Sequence, residues 1–134
     1  MRRSVLIAAG GTGGHMFPAL AVAAELRRRG AEVALVTDPR GARFAKGERG
    51  LTVITAAAPR GSGVDRVLAS FALARGLLEG LAAVRRIGPG VAAAFGGYAS
   101  VPAALAARLQ RVPLLVHEQN AVMGRANRLL ARLA

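Results

Sequence analysis

Cysteine and tryptophan are absent from this 134-residue chain. Without cysteine there are no disulfides and no thiolate-bound metals, and a reducing compartment suits the chain. Aromatic rings are scarce, with four Phe and one Tyr. Proteins that hold single-stranded nucleic acid stack its bases on such rings, so nucleic acid falls away as a partner. Acidic side chains are also few, 7 against 19 basic ones, which leaves a formal net charge of +12. That balance favours anionic partners, either a phosphorylated substrate or an anionic membrane face. Lys46 is the one lysine, and the rest of the basic charge is arginine in an alanine-rich chain, a bias that genome composition also produces. No uninterrupted apolar run reaches the length needed to cross a bilayer. The start, Met1-Arg-Arg-Ser-Val-Leu-Ile-Ala-Ala-Gly10, has the outline of a signal peptide. Its apolar run is short, however, and leads into a glycine loop, so it reads as a buried first strand. The sequence calls for no cofactor and indicates no metal site.

What is present is an alternation of short apolar runs and longer helical patterns. Strands are expected at Ser4–Ala9, Glu32–Thr37, Leu51–Ala56, Val91–Phe95 and Pro113–His117. Helices are expected at Pro18–Arg29, from an Asp65 cap to about Ile87, at Val101–Leu109 and at Gly124–Ala134. Asp38–Gly50 reads as loop plus a short helix. Uniformly apolar strands separated by helices imply a doubly wound parallel α/β sheet covered on both faces, occupying residues 1–134 as one domain. Ligands of such sheets sit beyond the carboxyl ends of the strands. The last helical pattern runs to Ala134 without a cap or breaker, as in a piece of a longer protein.

Three loops leave those strand ends with unusual chemistry. Four of the five residues from Gly10 to Gly14 are glycine. A loop that bare lets backbone N–H groups approach a phosphate at a helix start. It is not a Walker A loop. It departs from the dinucleotide fingerprint as well, because Met16 stands where the third glycine belongs. Asp38 does end the second strand, where a ribose-binding acid would sit, which keeps a nicotinamide enzyme as a rival reading. His15 falls at the helix start, and a neutral imidazole there can take a proton from a hydroxyl. Equally, it can hydrogen-bond a phosphate or close the loop. Gly96-Gly-Tyr-Ala-Ser100 repeats the design, and two such helix starts on one rim suit a diphosphate; Tyr98 and Ser100 can also simply pack and cap the turn. His117-Glu-Gln-Asn120 places polar groups directly after a buried strand. Glu118 can accept sugar hydroxyls, Asn120 can recognise hydroxyls or close an Asx turn, and His117 reads as a core histidine.

The long helix carries two apolar faces at 100° per residue. Leu73, Leu77, Leu81 and Val84 lie on one, Leu68, Phe71 and Leu78 on the other. One stripe serves a sheet. The second is either core beneath the preceding loop or a docking face, and Arg66, Arg75, Arg85 and Arg86 beside it suit anionic headgroups.

Together and in this order, Gly10-Gly-Thr-Gly-Gly-His15, Gly96-Gly-Tyr-Ala-Ser-Val-Pro102 and His117-Glu-Gln-Asn120 resemble the amino-terminal half of the MurG family of bacterial N-acetylglucosaminyltransferases. The resemblance covers essentially the whole chain. It implies a Rossmann-like domain, one half of a GT-B glycosyltransferase, with the carboxy-terminal nucleotide-sugar domain absent from this chain. The implied reaction is inverting transfer of N-acetylglucosamine from UDP-N-acetylglucosamine to undecaprenyl-linked lipid I, giving lipid II, at the cytoplasmic face of the inner membrane. Carried over by motif, Thr12, Gly13, Gly14 and Asn120 would contact the donor. Gly11, Gly97, Tyr98, Ser100 and Glu118 would face the acceptor diphosphate, and His15 would be the candidate general base. Leu68, Phe71, Arg75 and Leu78 would make the membrane contact, without the tryptophan common in that family's patch. Half an enzyme of this kind is expected to be inactive alone. The alternative is a non-catalytic Rossmann-like module that binds a phospholipid or nucleotide.

Overall fold

The computed structural model describes residues 4–56 and 61–134; Met1–Arg3, the charged start of the signal-like segment, lie outside them. The elements in chain order are β1 (Ser4–Ala8), α1 (Gly13–Arg28), β2 (Glu32–Thr37), α2 (Pro39–Ala42), β3 (Leu51–Val53), α3 (Val64–Ile87), β4 (Val91–Ala94), α4 (Ser100–Leu109), β5 (Leu114–Val116) and α5 (Arg125–Ala131). Five parallel strands form one sheet in the order β3-β2-β1-β4-β5. The connections leave β1 toward one side and β4 toward the other, so the strand order reverses between these two neighbours. The β1–α1 and β4–α4 loops therefore emerge at the switch point, where open α/β sheets bind ligands.

Side chains of β1 alternate between the two faces, as the pleat requires. Ile7 packs with Met16, Ala19 and Ala23 of α1 and with Leu35, while Leu6 and Ala8 pack with Val84 of α3 and Ala103, Ala106 and Ala107 of α4. A third cluster, Ala94, Val101, Ala104, Ala126 and Leu130, seats α5 against α4. The small residues of α4 let α3 lie close. A Cβ on Gly80 would come within 3.2 Å of the Pro102 carbonyl oxygen, and one on Gly76 would collide with the Thr55 carbonyl oxygen. Glu79 then anchors the chain after β3, accepting from the Thr55 N–H and hydroxyl.

Several boundaries differ from expectation. Helix α1 begins at Gly13, five residues before Pro18. Proline inside a helix removes the bond to the carbonyl four residues back; here that carbonyl belongs to exposed Gly14, where water can serve it. Asp65 is not the cap of α3. Gly63 is, and Asp65 lies in the first turn, where its charge still complements the dipole. β3 has three residues instead of six, because as an edge strand it pairs with β2 alone. Finally, the 24-residue α3 is long and apolar enough to cross a membrane by length and composition, with a mean hydropathy of 1.6 in its most apolar stretch. Its inner side nonetheless packs on the domain through Ala69, Gly76, Gly80, Ala83 and Val84, all buried. It is a covering helix of the sheet. The outer face holds Leu68, Phe71 and Leu78, 61%, 71% and 68% exposed.

Candidate functional site

Gly10 and Gly97 hold the two glycine loops together. The Gly10 N–H donates to the Gly96 carbonyl at 3.0 Å. A Cβ on Gly97 would stand 2.9 Å from the Gly10 Cα, and one on Gly10 would stand 3.0 Å from the Gly97 Cα. Gly97 also has φ of +77°, which a side chain would strain. These glycines thus serve backbone-on-backbone packing first. Gly11 donates its N–H to Asp38, whose carboxylate also accepts from the Gly41 N–H and Arg40 Nε. Asp38 is buried and consumed by these contacts, so it is not a free ribose acid, and the nicotinamide reading loses its support.

Thr12 is the N-cap of α1, yet its hydroxyl makes no capping bond to the backbone. It pairs with His15 Nδ1 at 2.8 Å. That contact fixes the imidazole and leaves Nε2 on the side of Gly96, 3.1 Å from where a Cβ of Gly96 would be. Gly13 and Gly14 occupy the first two helical positions, and among the described residues their N–H groups find no acceptor. Such groups are the ready-made anion donors of a helix start.

From the third loop, Glu118 acts as the fastening. One carboxylate oxygen accepts from the Asn120 N–H (3.0 Å) and Asn120 Nδ2 (2.8 Å), the other from the Gly124 N–H (3.0 Å) and Asn127 Nδ2 (3.0 Å). The Gly124 and Asn120 amides hold its carboxyl well below the usual range, at about 2. Asn120 is exposed and folded back onto Glu118, closing the local turn. His117 is not the core histidine its position suggested. It is exposed, with its ring tilted against Phe95 at 4.9 Å between centroids.

A pocket of about 240 Å³ lies where the three loops meet, lined by His15, Gly96, Gly97, Tyr98, Glu118 and Asn127 with the start of α5. The structure thus gathers His15, Gly97, Tyr98 and Glu118 around one space. Thr12 stands behind His15. Ser100 does not reach the space: its hydroxyl is buried and donates to the Gly97 carbonyl at 2.7 Å, capping the turn. Asn120 is outside the lining as well. Asn127, which the sequence reading passed over, is 1% exposed and belongs to the lining. Its signal was a polar residue on the buried side of α5, between Ala126 and Leu130. No cluster of metal-ligating side chains occurs among the described residues.

The sequence pattern of the glycosyltransferase family 28 N-terminal domain matches residues 5–134. The chain belongs to this family. Among its relatives is the UDP-N-acetylglucosamine--N-acetylmuramyl-(pentapeptide) pyrophosphoryl-undecaprenol N-acetylglucosamine transferase of Methylobacterium nodulans, 53% identical over 133 residues. That match covers 96% of this chain and 35% of the relative. The protein of the same name from Phenylobacterium zucineum is 48% identical, with 98% and 37% covered. The family 28 domain therefore spans about a third of the length of the curated relatives it matches. The crystal structure of Acinetobacter baumannii MurG superposes with a TM-score of 0.86 at 38% identity, covering 98% of this chain and 39% of that one. The Streptomyces glycosyltransferase SsfS6 shares the fold at a TM-score of 0.70 and 15% identity. The doubly wound architecture expected from the sequence is thus that of the amino-terminal half of GT-B glycosyltransferases.

Proposed function

We propose that this family 28 domain is the acceptor-side half of an inverting glycosyltransferase. The full-length enzyme transfers N-acetylglucosamine from UDP-N-acetylglucosamine to undecaprenyl-linked lipid I and yields lipid II. The observation that carries the reading is the His15 arrangement: an imidazole fixed through Nδ1 by Thr12, with Nε2 on the Gly96 side, at a switch-point pocket. The names of relatives at about half identity supply the substrates.

In mechanism, the attacking hydroxyl of the acceptor sugar gives its proton to His15 as its oxygen bonds the anomeric carbon of the donor. The bond from that carbon to UDP breaks on the opposite side, which inverts the centre. The unpaired N–H groups of Gly13 and Gly14 stabilise negative charge on the phosphates nearby. UDP leaves with the bonding electron pair.

The enzyme sits peripherally on the cytoplasmic face of the inner membrane. The exposed Leu68, Phe71 and Leu78 of α3 enter the interface, and arginines beside them meet anionic headgroups. Arg75 reaches solvent although it also pairs with Glu79 at 2.8 Å.

The test is turnover of a lipid I analogue with UDP-N-acetylglucosamine by the full-length polypeptide, with residues 1–134 alone as the comparison. Product from the former only is expected. A folded full-length protein that forms no lipid II analogue overturns the proposal. In the same assay His15→Ala should lower kcat far more than it raises KM.

A further inference from the structure

Asp38 is a buried carboxylate, 1% exposed, that the proposed chemistry does not use. Its Oδ1 accepts from two backbone N–H groups at once, Gly41 of α2 at 2.9 Å and Gly11 of the first glycine loop at 3.2 Å. Its Oδ2 accepts from Arg40 Nε at 3.0 Å. The Gly41 bond is a helix cap, as expected of an aspartate just before α2. The Gly11 bond has no such local reason, since it joins residues 27 apart. Among the described residues, Asp38 is the one side chain hydrogen-bonded to the backbone of residues 10–14.

What it holds is a tight turn. The Thr12 N–H donates to the Gly10 carbonyl at 2.7 Å, closing a three-residue turn on Gly11, which has φ of +45°. Positive φ at the centre is the rarer and more strained form of such a turn, and strain of this kind persists where the surroundings over-determine it. Here they do so from two sides. The Gly10 N–H is fixed on the Gly96 carbonyl. Opposite, Asp38 takes the Gly11 N–H, and Arg40 Nη2 lies 2.8 Å from where a Gly11 Cβ would be. Thr12 comes next in the chain. Its carbonyl accepts from the His15 and Met16 N–H groups and so opens α1, while its hydroxyl meets His15 Nδ1 at 2.8 Å. The direction of Thr12 depends on the turn before it, and the imidazole depends on Thr12.

We infer that Asp38 is a positioning residue for His15, acting through the Gly11 turn and Thr12. It touches no substrate and moves no proton. Arg40 completes the brace: its hold on Oδ2 leaves Oδ1 aimed at the two backbone donors. The kinetic consequence rests on the transferase reading above.

The experiment separates the cap from the brace in the full-length enzyme. Asp38→Ser keeps a hydroxyl that caps α2 but is too short to reach Gly11 as well. Asp38→Asn keeps an oxygen for both backbone donors and loses only the bond from Arg40, whose side chain is 52% exposed and free to turn to solvent. Asp38→Ser should lower kcat about tenfold with KM within about threefold, the mark of a misplaced base, and Asp38→Asn should restore most of that loss. In a Thr12→Val background Asp38→Ser should cost nothing further, because both act on one contact. Unchanged kcat in Asp38→Ser, an equal fall in Asp38→Asn, or fully multiplicative losses in the double variant would each overturn the inference. One readout needs no turnover: the ring nitrogen-15 resonances of neutral His15 should report a single tautomer in the native enzyme and a mixture in Asp38→Ser. The same balance in both sinks the inference. Should Asp38→Ser not fold, the native enzyme decides: the Gly11 amide should exchange with solvent far more slowly than the unpaired amides of Gly13 and Gly14, and equal rates refute the brace. Native enzyme that makes no product refutes the transferase reading instead, and the ring resonances still decide on Asp38.

Discussion

Glu118→Gln isolates what holds the third rim loop. The native carboxylate accepts four hydrogen bonds, two at each oxygen. Glutamine keeps one oxygen and presents an amide to the other pair of donors. Two bonds are lost outright and the remaining two become neutral. Hydrogen bonds to charged groups contribute about 1.5–3 kcal/mol each, and exposure of the loop to solvent cuts that by about half. The expected destabilisation is therefore about 2 kcal/mol at neutral pH. The pH dependence carries the sharper information. The folded carboxyl is held at about 2 against an ordinary 4.5, so its contribution is complete above about 4.5 and disappears as pH falls toward about 2. Urea denaturation of the native chain and the variant, followed by far-ultraviolet circular dichroism because there is no tryptophan, gives the difference at each pH. Taking the difference cancels the other carboxylates, Glu25 and Glu79 among them, whose folded values are also lowered. The gap between the two proteins should narrow steadily from pH 5 to pH 2. A gap constant over that range would refute the fastening role. Amide exchange offers a local check, since the Asn120 and Gly124 amides should lose protection first.

Gly97→Ala should destabilise by about 2–4 kcal/mol, because positive φ and a 2.9 Å backbone contact add; Gly47→Ala, with φ of +81° and open space, should cost only about 1 kcal/mol, and equal midpoints in urea would contradict the packing argument. Gly76→Ala drives a methyl into the Thr55 carbonyl and should shift thermal unfolding more than Gly80→Ala, whose nearest contacts are 3.2 Å away. Thr12→Val removes the partner of His15 Nδ1 and should lower kcat of the full-length enzyme about tenfold with little change in KM; a change in KM alone would argue against orientation of the imidazole. Replacing Phe71 and Leu78 by serine should reduce flotation with anionic liposomes at low salt, and unchanged flotation would remove α3 from the membrane contact.

Much of this architecture could be read from residue order alone. β2 falls where Glu-Val-Ala-Leu-Val-Thr predicts, and the other strands lie within the expected apolar runs. Strand order is different in kind: it depends on which crossover packs against which face, and no local pattern in β1 announces that β4 rather than β3 will be its second neighbour. Helix α1 started early because the proline rule marks where proline is comfortable, while the orphan carbonyl at Gly14 happened to be exposed. Within the site, His15, Tyr98 and Glu118 announced themselves through their place after glycine or strand. Asn127 did not, since its place in the lining is decided by the His117 carbonyl and Glu118 carboxylate that its amide joins, both outside the local pattern of α5. The glycines were legible as special. Their first purpose, meeting one another, was not.

The seam between Gly10 and Gly97 has a practical side for anyone wishing to reshape the pocket. Two stretches of main chain in direct contact leave no side chain to trade, so the floor of the pocket cannot be remodelled one residue at a time. Variation has to enter from the walls. Tyr98 and Arg125 stand on the lining, and their side chains make no hydrogen bond among the described residues. A combinatorial library that holds Gly10, Gly96 and Gly97 fixed and randomises those two positions would explore new ligands on an unaltered frame.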